Sequence, residues 1–280
     1  MKAFLLAALA LLAFAANSIL ARLALTETAI DPISFTNLRL VSGALVLGLI
    51  VLLRSSGKRS HGSAVSALAL FIYALAFSLA YVSLTAATGA LLLFGAVQIS
   101  MVGWAFLGGE RMSLAAWLGF ALALGGLVWL LLPGLARPPL IPALLMITAG
   151  VAWAAYTLRA KNAGDPTGAT ARNFLLAAVP AVLLTAVYWP ASSWDTNGVI
   201  LAILSGAVTS GLGYVIWYAA LALITRQTAA VAQLSVPVIT AVAGVLLLSE
   251  PLTLRLVLAG STILAGIVLV LSPWKTRHRT

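Results

Sequence analysis

The sequence predicts an all-α polytopic membrane protein whose ten transmembrane helices form two inverted five-helix repeats. Three observations carry this prediction. Of the 280 residues, 62% are hydrophobic and only 8% charged, against about a quarter charged in a soluble domain, so the chain cannot give itself a wetted surface. The apolar residues fall in about ten runs, each close to the roughly 20 residues that a helix needs to cross a bilayer. The chain also matches itself at an offset of half its length.

Taken in order, spans are expected near 4–22, 33–53, 63–84, 88–107, 113–132, 140–160, 172–190, 197–221, 228–248 and 253–272. The start, MKAFLLAALALLAFAANSIL, has the basic residue and apolar run of a signal peptide. That run is too long for a signal-peptide core and further spans follow it, so it reads as the first helix. The second span follows Asp31-Pro32 and the seventh follows Asp165-Pro166. Only short polar breaks, 85–88 and 225–228, divide the third span from the fourth and the eighth from the ninth; their threonine hydroxyls can cap helix ends. The fifth and sixth are parted by PGLARPPLIP, residues 133–142, because proline cannot continue a helix. This linker sets the expected repeats as 1–136 and 137–280. Trp129, Trp189, Trp194 and Trp274 lie near span ends, where an interfacial belt places them.

Ten spans put both termini on one side. That side holds Lys2, Arg54, Lys58, Arg59, Arg111, Arg159, Lys161, Arg172, Arg226, Lys275, Arg277 and Arg279, twelve cations, against four on the other, Arg22, Arg39, Arg137 and Arg255. The positive-inside rule then predicts cytoplasmic termini in a bacterial-type inner membrane. The net charge of +10 is not a nucleic-acid signal, since the basic residues sit between apolar runs rather than on one exposed face.

At an offset of 140, GWAFLGGERMSLAAWLGFALALGGLV aligns with AGVLLLSEPLTLRLVLAGSTILAGIV, so that Glu110 meets Glu250 and Gly126 meets Gly266. At 139, FAANSILAR meets WAAYTLRAK. Five helices per copy is an odd number, so the second copy must enter the membrane upside down, the arrangement of many secondary transporters. Two such copies, each with an acidic turn (GGERMSL, LSEPLTL) before a glycine-bearing last span, together with Leu234-Ser235-Val236-Pro237, resemble the EamA-type exporters of the drug/metabolite transporter superfamily. The pattern is most similar to amino-acid exporters of the YddG type. The fourth span departs from it, with Val97 where Pro237 aligns. The resemblance implies alternating access through a pathway lined by spans 1, 3, 4, 6, 8 and 9.

Enzymatic readings fail on inventory. The two histidines, His61 and His278, lie in a loop and the tail; there is no cysteine, and all six acids sit at or beyond span ends. No base can be placed beside a nucleophile, and no metal site can be assembled. Walker and GxGxxG patterns are missing, so no cofactor and no ATPase partner is expected, and a single chain is expected to suffice. Without an intramembrane carboxylate the solute should be neutral or zwitterionic. Arg39 is the only cation well inside a span, and it is expected to snorkel outward toward Glu27 or Asp31.

Polar and aromatic residues recur on particular faces. Phe14, Asn17 and Ser18 share one face of the first span, as their repeat mates Trp153, Tyr156 and Thr157 do in the sixth. The third span carries Tyr73, Phe77 and Tyr81, and Phe77 aligns with Trp217 of the eighth, which also carries Tyr214. Phe94, Gln98 and Met101 share a face of the fourth; Gln233, Pro237 and Thr240 share one of the ninth. Amides that lipid cannot satisfy should face protein or a wet cavity. The candidate substrate-binding set is therefore Phe14, Asn17, Phe77, Tyr81, Phe94, Gln98, Met101, Trp153, Tyr156, Tyr214, Trp217, Gln233 and Pro237. Gly206, Ser210 and Gly213, and Gly119, Ala123 and Gly126, read as close-packing faces, and the turn acids Glu110 and Glu250 as architecture. The expected function is export of amino acids or similar small metabolites. A multidrug, nucleoside or sugar carrier of the same fold is the alternative, a passive channel the more distant one.

Overall fold

The computed structural model describes residues 1–54, 62–109, 113–132, 137–160, 165–224, 229 and 232–271. Glu110, Lys58, Lys161, the 225–228 break, Trp274 and the basic tail therefore lie outside the described residues. The described residues hold no strand. Ten helices follow one another: α1 (Lys2–Glu27), α2 (Pro32–Leu53), α3 (Ala64–Tyr81), α4 (Ala86–Leu107), α5 (Leu114–Leu131), α6 (Leu140–Ala160), α7 (Pro166–Tyr188), α8 (Thr196–Leu221), α9 (Ser235–Leu248) and α10 (Leu254–Leu271). Among the described residues, nine of these are long and apolar enough to cross a membrane, and α9 is shorter at 14 residues. The leucines of α1, α2, α7 and α9 that remain exposed, such as Leu12, Leu45, Leu183 and Leu246, form the face a lipid solvent requires.

Several boundaries move from their sequence-based positions, each for a local reason. The first helix runs to Glu27 rather than ending at 22, because the charge of Arg22 is answered within the bundle by Glu250 and two carbonyls. The seventh begins at Pro166 rather than 172, with proline in its favoured first turn. Its polar opening is also satisfied: Arg54 donates to Thr167, and Asn173 accepts from the Ser63 amide. Thr85 caps α4 by accepting from the Thr88 amide, as its position predicted. In the ninth span Ala232 and Gln233 are helical, Leu234 is a turn and α9 resumes at Ser235. Pro237 explains the break, since it has no N–H to offer the carbonyl of Gln233 four residues back.

The eighth span is not regular either. Its middle, Ser205–Leu212, is π-helical. The Thr209 hydroxyl donates to the Ser205 carbonyl, taking an acceptor the α ladder would use. Gly206 in this segment lies against the Arg39 carbonyl and Ser42 of α2, where any Cβ would collide. Gly119 and Gly266 play the same part between α5 and α10, each packed on the other's backbone. Close backbone approach of this kind is how helices associate where lipid removes a hydrophobic drive.

The packing follows a simple rule. Helices α2, α4 and α5 pack on α7, α9 and α10; α3 packs on α6 as α1 does on α8; α4 packs on α6 as α1 does on α9. Exchanging each helix with the one five places away leaves this set of pairs unchanged.

Candidate functional site: a donor-lined central cavity

At the centre of the bundle lies a cavity lined by Phe14, Asn17, Ser18, Tyr73, Phe77, Leu93, Phe94, Trp153, Thr209, Ser210, Tyr214 and Gln233. These residues come from α1, α3, α4, α6, α8 and the short helical segment before α9. The free volume is about 20 Å³, room for about one water, so the cavity is narrow and must widen to admit anything larger.

Its wall is largely aromatic. Rings run in succession from Phe77 to Tyr73 (5.5 Å between centroids), Trp153 (4.9 Å), Tyr214 (5.2 Å) and Phe14 (5.9 Å). Spacing of this order gives edge and offset contacts that hold the rings rigidly without polar bonds.

The polar part of the wall is organised by the π-helical segment. Asn17 Oδ1 accepts from Ser205 at 2.7 Å and from Thr209 at 3.1 Å. With Ser205 donating to its oxygen and Thr209 sharing its one hydroxyl proton between that oxygen and the Ser205 carbonyl, the carboxamide turns its NH₂ to a ligand. On the far side Arg39, 1% exposed, lies behind Tyr73, Phe77 and Ser210. Its Nη2 donates to the Tyr73 hydroxyl at 2.9 Å and its Nε to Ser210 Oγ at 3.3 Å. The guanidinium carbon stands 5.0 Å from the Tyr73 ring centre and 4.8 Å from that of Phe77. Arg39 therefore points into the bundle; the expected snorkelling toward Glu27 or Asp31 does not occur. The reason is the depth of its position and the two aromatic faces that receive the cation.

Of the candidate residues, Phe14, Asn17, Phe77, Phe94, Trp153, Tyr214 and Gln233 meet at the cavity. Tyr81, Tyr156 and Trp217 stand one ring behind the wall, on Phe77, Trp153 and Phe14 respectively. The Tyr156 hydroxyl donates to Thr170, which donates in turn to Tyr218. Gln98, Met101 and Pro237 are not among the lining residues. Ser210, read as a packing residue, lines the cavity, as do Tyr73 and Thr209. A hydroxyl flanked by glycines was the available signal, but its meaning depends on the π-helical turn that rotates it inward.

Below one end of the cavity the helix termini are tied together. Glu250 Oε1 accepts from Arg22 Nε at 2.9 Å, and Oε2 from the Ala86 amide at the start of α4, at 2.7 Å. Arg22 Nη1 donates to the carbonyls of Tyr81 and Val82 at the end of α3. Negative charge thus meets a helix N-terminus and positive charge a C-terminus, as the helix dipoles favour. On the same face Asp31 caps α2 and accepts from the Ser193 amide, while Asp195 caps α8 and accepts from the Ala29 amide.

Comparison with known proteins accords with a transporter. Residues 140–272 match the model of the EamA-like transporter family. An uncharacterized protein of Pseudomonas aeruginosa is 52% identical over 273 residues, covering 97% of this chain and 95% of that one. An uncharacterized transporter of Archaeoglobus fulgidus is 26% identical over 247 residues, covering 86% of this chain and 89% of its own. A solved crystal structure superposes with a TM-score of 0.67 at 20% identity, covering 96% of both chains, and so shares the fold. The chain is thus a multi-pass membrane protein whose second half, residues 140–272, is similar to the EamA-like transporter family.

Proposed function

We propose that this transporter exports amino acids or closely similar small metabolites by alternating access, as the YddG-type exporters it resembles do. The observation that carries the reading is the narrow central cavity. It draws on five helices and the segment before α9, from both halves of the chain, and combines an aromatic wall with hydrogen-bond donors, the mixture that small-molecule sites use for an apolar body with a polar head. The exchange-symmetric packing supports two inverted halves that can rock about the cavity. The Arg22–Glu250 pair and the reciprocal Asp31 and Asp195 caps would then hold one mouth shut. With both termini cytoplasmic, that mouth faces outward. Narrowness on this scale favours a carrier over a channel, and a cavity built within one chain lets a single copy work.

A liposome uptake screen with labelled amino acids, nucleosides, sugars and cationic dyes tests the proposal. Saturable counterflow of amino acids is expected. Flux of nucleosides or dyes but not amino acids would move the assignment to another branch of the superfamily, and non-saturating flux would make the protein a channel.

A further inference from the structure

Arg39 is a full positive charge with no counter-ion among the described residues. Its place in α2, seven residues from Pro32, puts it about 10 Å inside the helix at 1.5 Å per residue. It is buried, and its Nη1 has no hydrogen-bond partner. Three of the described acids are committed elsewhere, Glu250 to Arg22 and Ala86, Asp31 to the start of α2 and Ser193, Asp195 to Ala29 and Gly198, and the other two, Glu27 and Asp165, lie at the end of α1 and just before α7. The Tyr73 and Phe77 rings soften the cost of burying the cation but do not neutralise it. An uncompensated charge at this depth is expensive and marks function.

The groups around it complete the picture. The Tyr73 hydroxyl accepts from Arg39, so its own proton is free for the cavity; Ser210 is placed the same way. Across the cavity the Asn17 amide also turns its NH₂ to a ligand, because Ser205 donates to its oxygen and Thr209 shares a proton with it. No carboxylate lines the cavity among the described residues. Donors converge on it from two sides, with a cation directly behind one of them.

We propose that Arg39 is the counter-charge for a carboxylate on the transported solute, exerted through the Tyr73 and Ser210 hydroxyls that it holds against the cavity. This rests on the transport reading and sharpens it. A carboxylate is required and an ammonium group is not, because the aromatic faces of Trp153, Tyr214 and Phe14 accept either an ammonium or an apolar chain. Neutral nucleosides, sugars and simple amines fall outside the class. Arg39 is here a positioning residue that sets charge selectivity.

The test uses purified full-length protein and four probes of one shape: L-leucine, 4-methylpentanoate, leucinamide and 4-methylpentanamide, at constant ionic strength in sodium chloride. Binding is read as stabilisation against heat. Both acids should stabilise the protein and both amides should not. Arg39→Gln should need at least tenfold more acid for the same stabilisation, Tyr73→Phe an intermediate amount, and Arg39→Lys should keep the preference for acids. Equal action of acids and amides, or the same acid response in Arg39→Gln as in the parent, overturns the proposal. Should Arg39→Gln fail to fold, Tyr73→Phe and Arg39→Lys decide: an acid preference unmoved by Tyr73→Phe and lost in Arg39→Lys overturns it. Arg39-dependent acid binding without liposome flux would sink the carrier reading and leave this one. Carriage of solutes lacking a carboxylate as readily as acids would do the reverse.

Discussion

Arg22 and Glu250, 228 positions apart in the chain, meet at 2.9 Å and between them cap two further helices. The pair spans α1 and the turn after α9, and through the Ala86 amide and the Tyr81 and Val82 carbonyls it also secures the α3–α4 connection. Ser249, in the left-handed region at φ 51°, turns the chain so that Glu250 faces inward. Four elements are thus closed by two side chains.

Removing either partner should loosen that closure. Arg22→Ala and Glu250→Ala are each expected to lower the apparent melting temperature, and the double variant little further, since charge-assisted bonds of about 1.5–3 kcal/mol are lost once, not twice. Glu250→Gln, which keeps one acceptor oxygen, should fall between and retain much of the transport. Additive losses in the double variant would mean that the two residues act separately. The chain has no cysteine, so a Ser18→Cys reporter in the cavity should react faster with a hydrophilic thiol reagent when the pair is removed.

Asn17→Asp preserves both hydroxyl contacts of the side-chain oxygen but replaces the amide donors with negative charge. Folded protein should be retained and flux of carboxylate-bearing solutes should fall at least tenfold. Asn17→Ala, which strands the Ser205 hydroxyl without its acceptor while Thr209 keeps the Ser205 carbonyl, should instead reduce thermal stability. Undiminished flux in Asn17→Asp would place solute recognition away from this side of the cavity.

Gly206→Ala should destabilise by about 1–3 kcal/mol, the usual penalty of overpacking. Its Cβ would strike the backbone of Arg39, and α2 has no room to yield while Phe174 lies against Gly43. Gly48→Ala, in the same helix α2 but with nothing near its added carbon, serves as the control and should be neutral or slightly stabilising. Thermal unfolding followed by size-exclusion chromatography compares the two. Equal stability would dissolve the argument for close α2–α8 packing.

Topology is open to the same thiol chemistry. Cysteine at Lys58 or Lys275 should be shielded from an impermeant reagent in intact cells, and cysteine at the exposed Asn197 should react. The opposite pattern would invert the orientation and with it the outward assignment of the Arg22–Glu250 mouth.

Among the described residues no carboxylate or histidine lines the cavity, and a carried proton needs a group that can be tuned near neutrality. Solute should therefore move down its own gradient at equal pH on both sides of a liposome. Proton uptake in fixed ratio to solute, abolished by Glu250→Gln, would make the turn acids part of the mechanism.

Much of this protein was legible in the chain alone. Hydropathy places the ten helices within a few residues because each must satisfy its own backbone in lipid, so an apolar run and a helix are nearly the same statement. Helix period likewise sets Phe14 and Asn17 on one face of α1, and both line the cavity, whereas Gln98 of α4 does not. What the sequence could not decide was which charge meets which. Arg39 and Asp31 lie eight residues apart and invite pairing along one helix end, yet Tyr73 and Ser210, from helices far along the chain, receive the guanidinium. Arg255, five residues from Glu250, loses it to Arg22. The π-helical turn that brings Ser205, Thr209 and Ser210 inward has no periodic signature, because it arises from Gly206 against α2 and a threonine bonding back to its own helix. Tertiary structure alone settles such points: helix periodicity is a property of one segment, whereas the partner of a buried polar group is chosen by whichever helices packing brings alongside it.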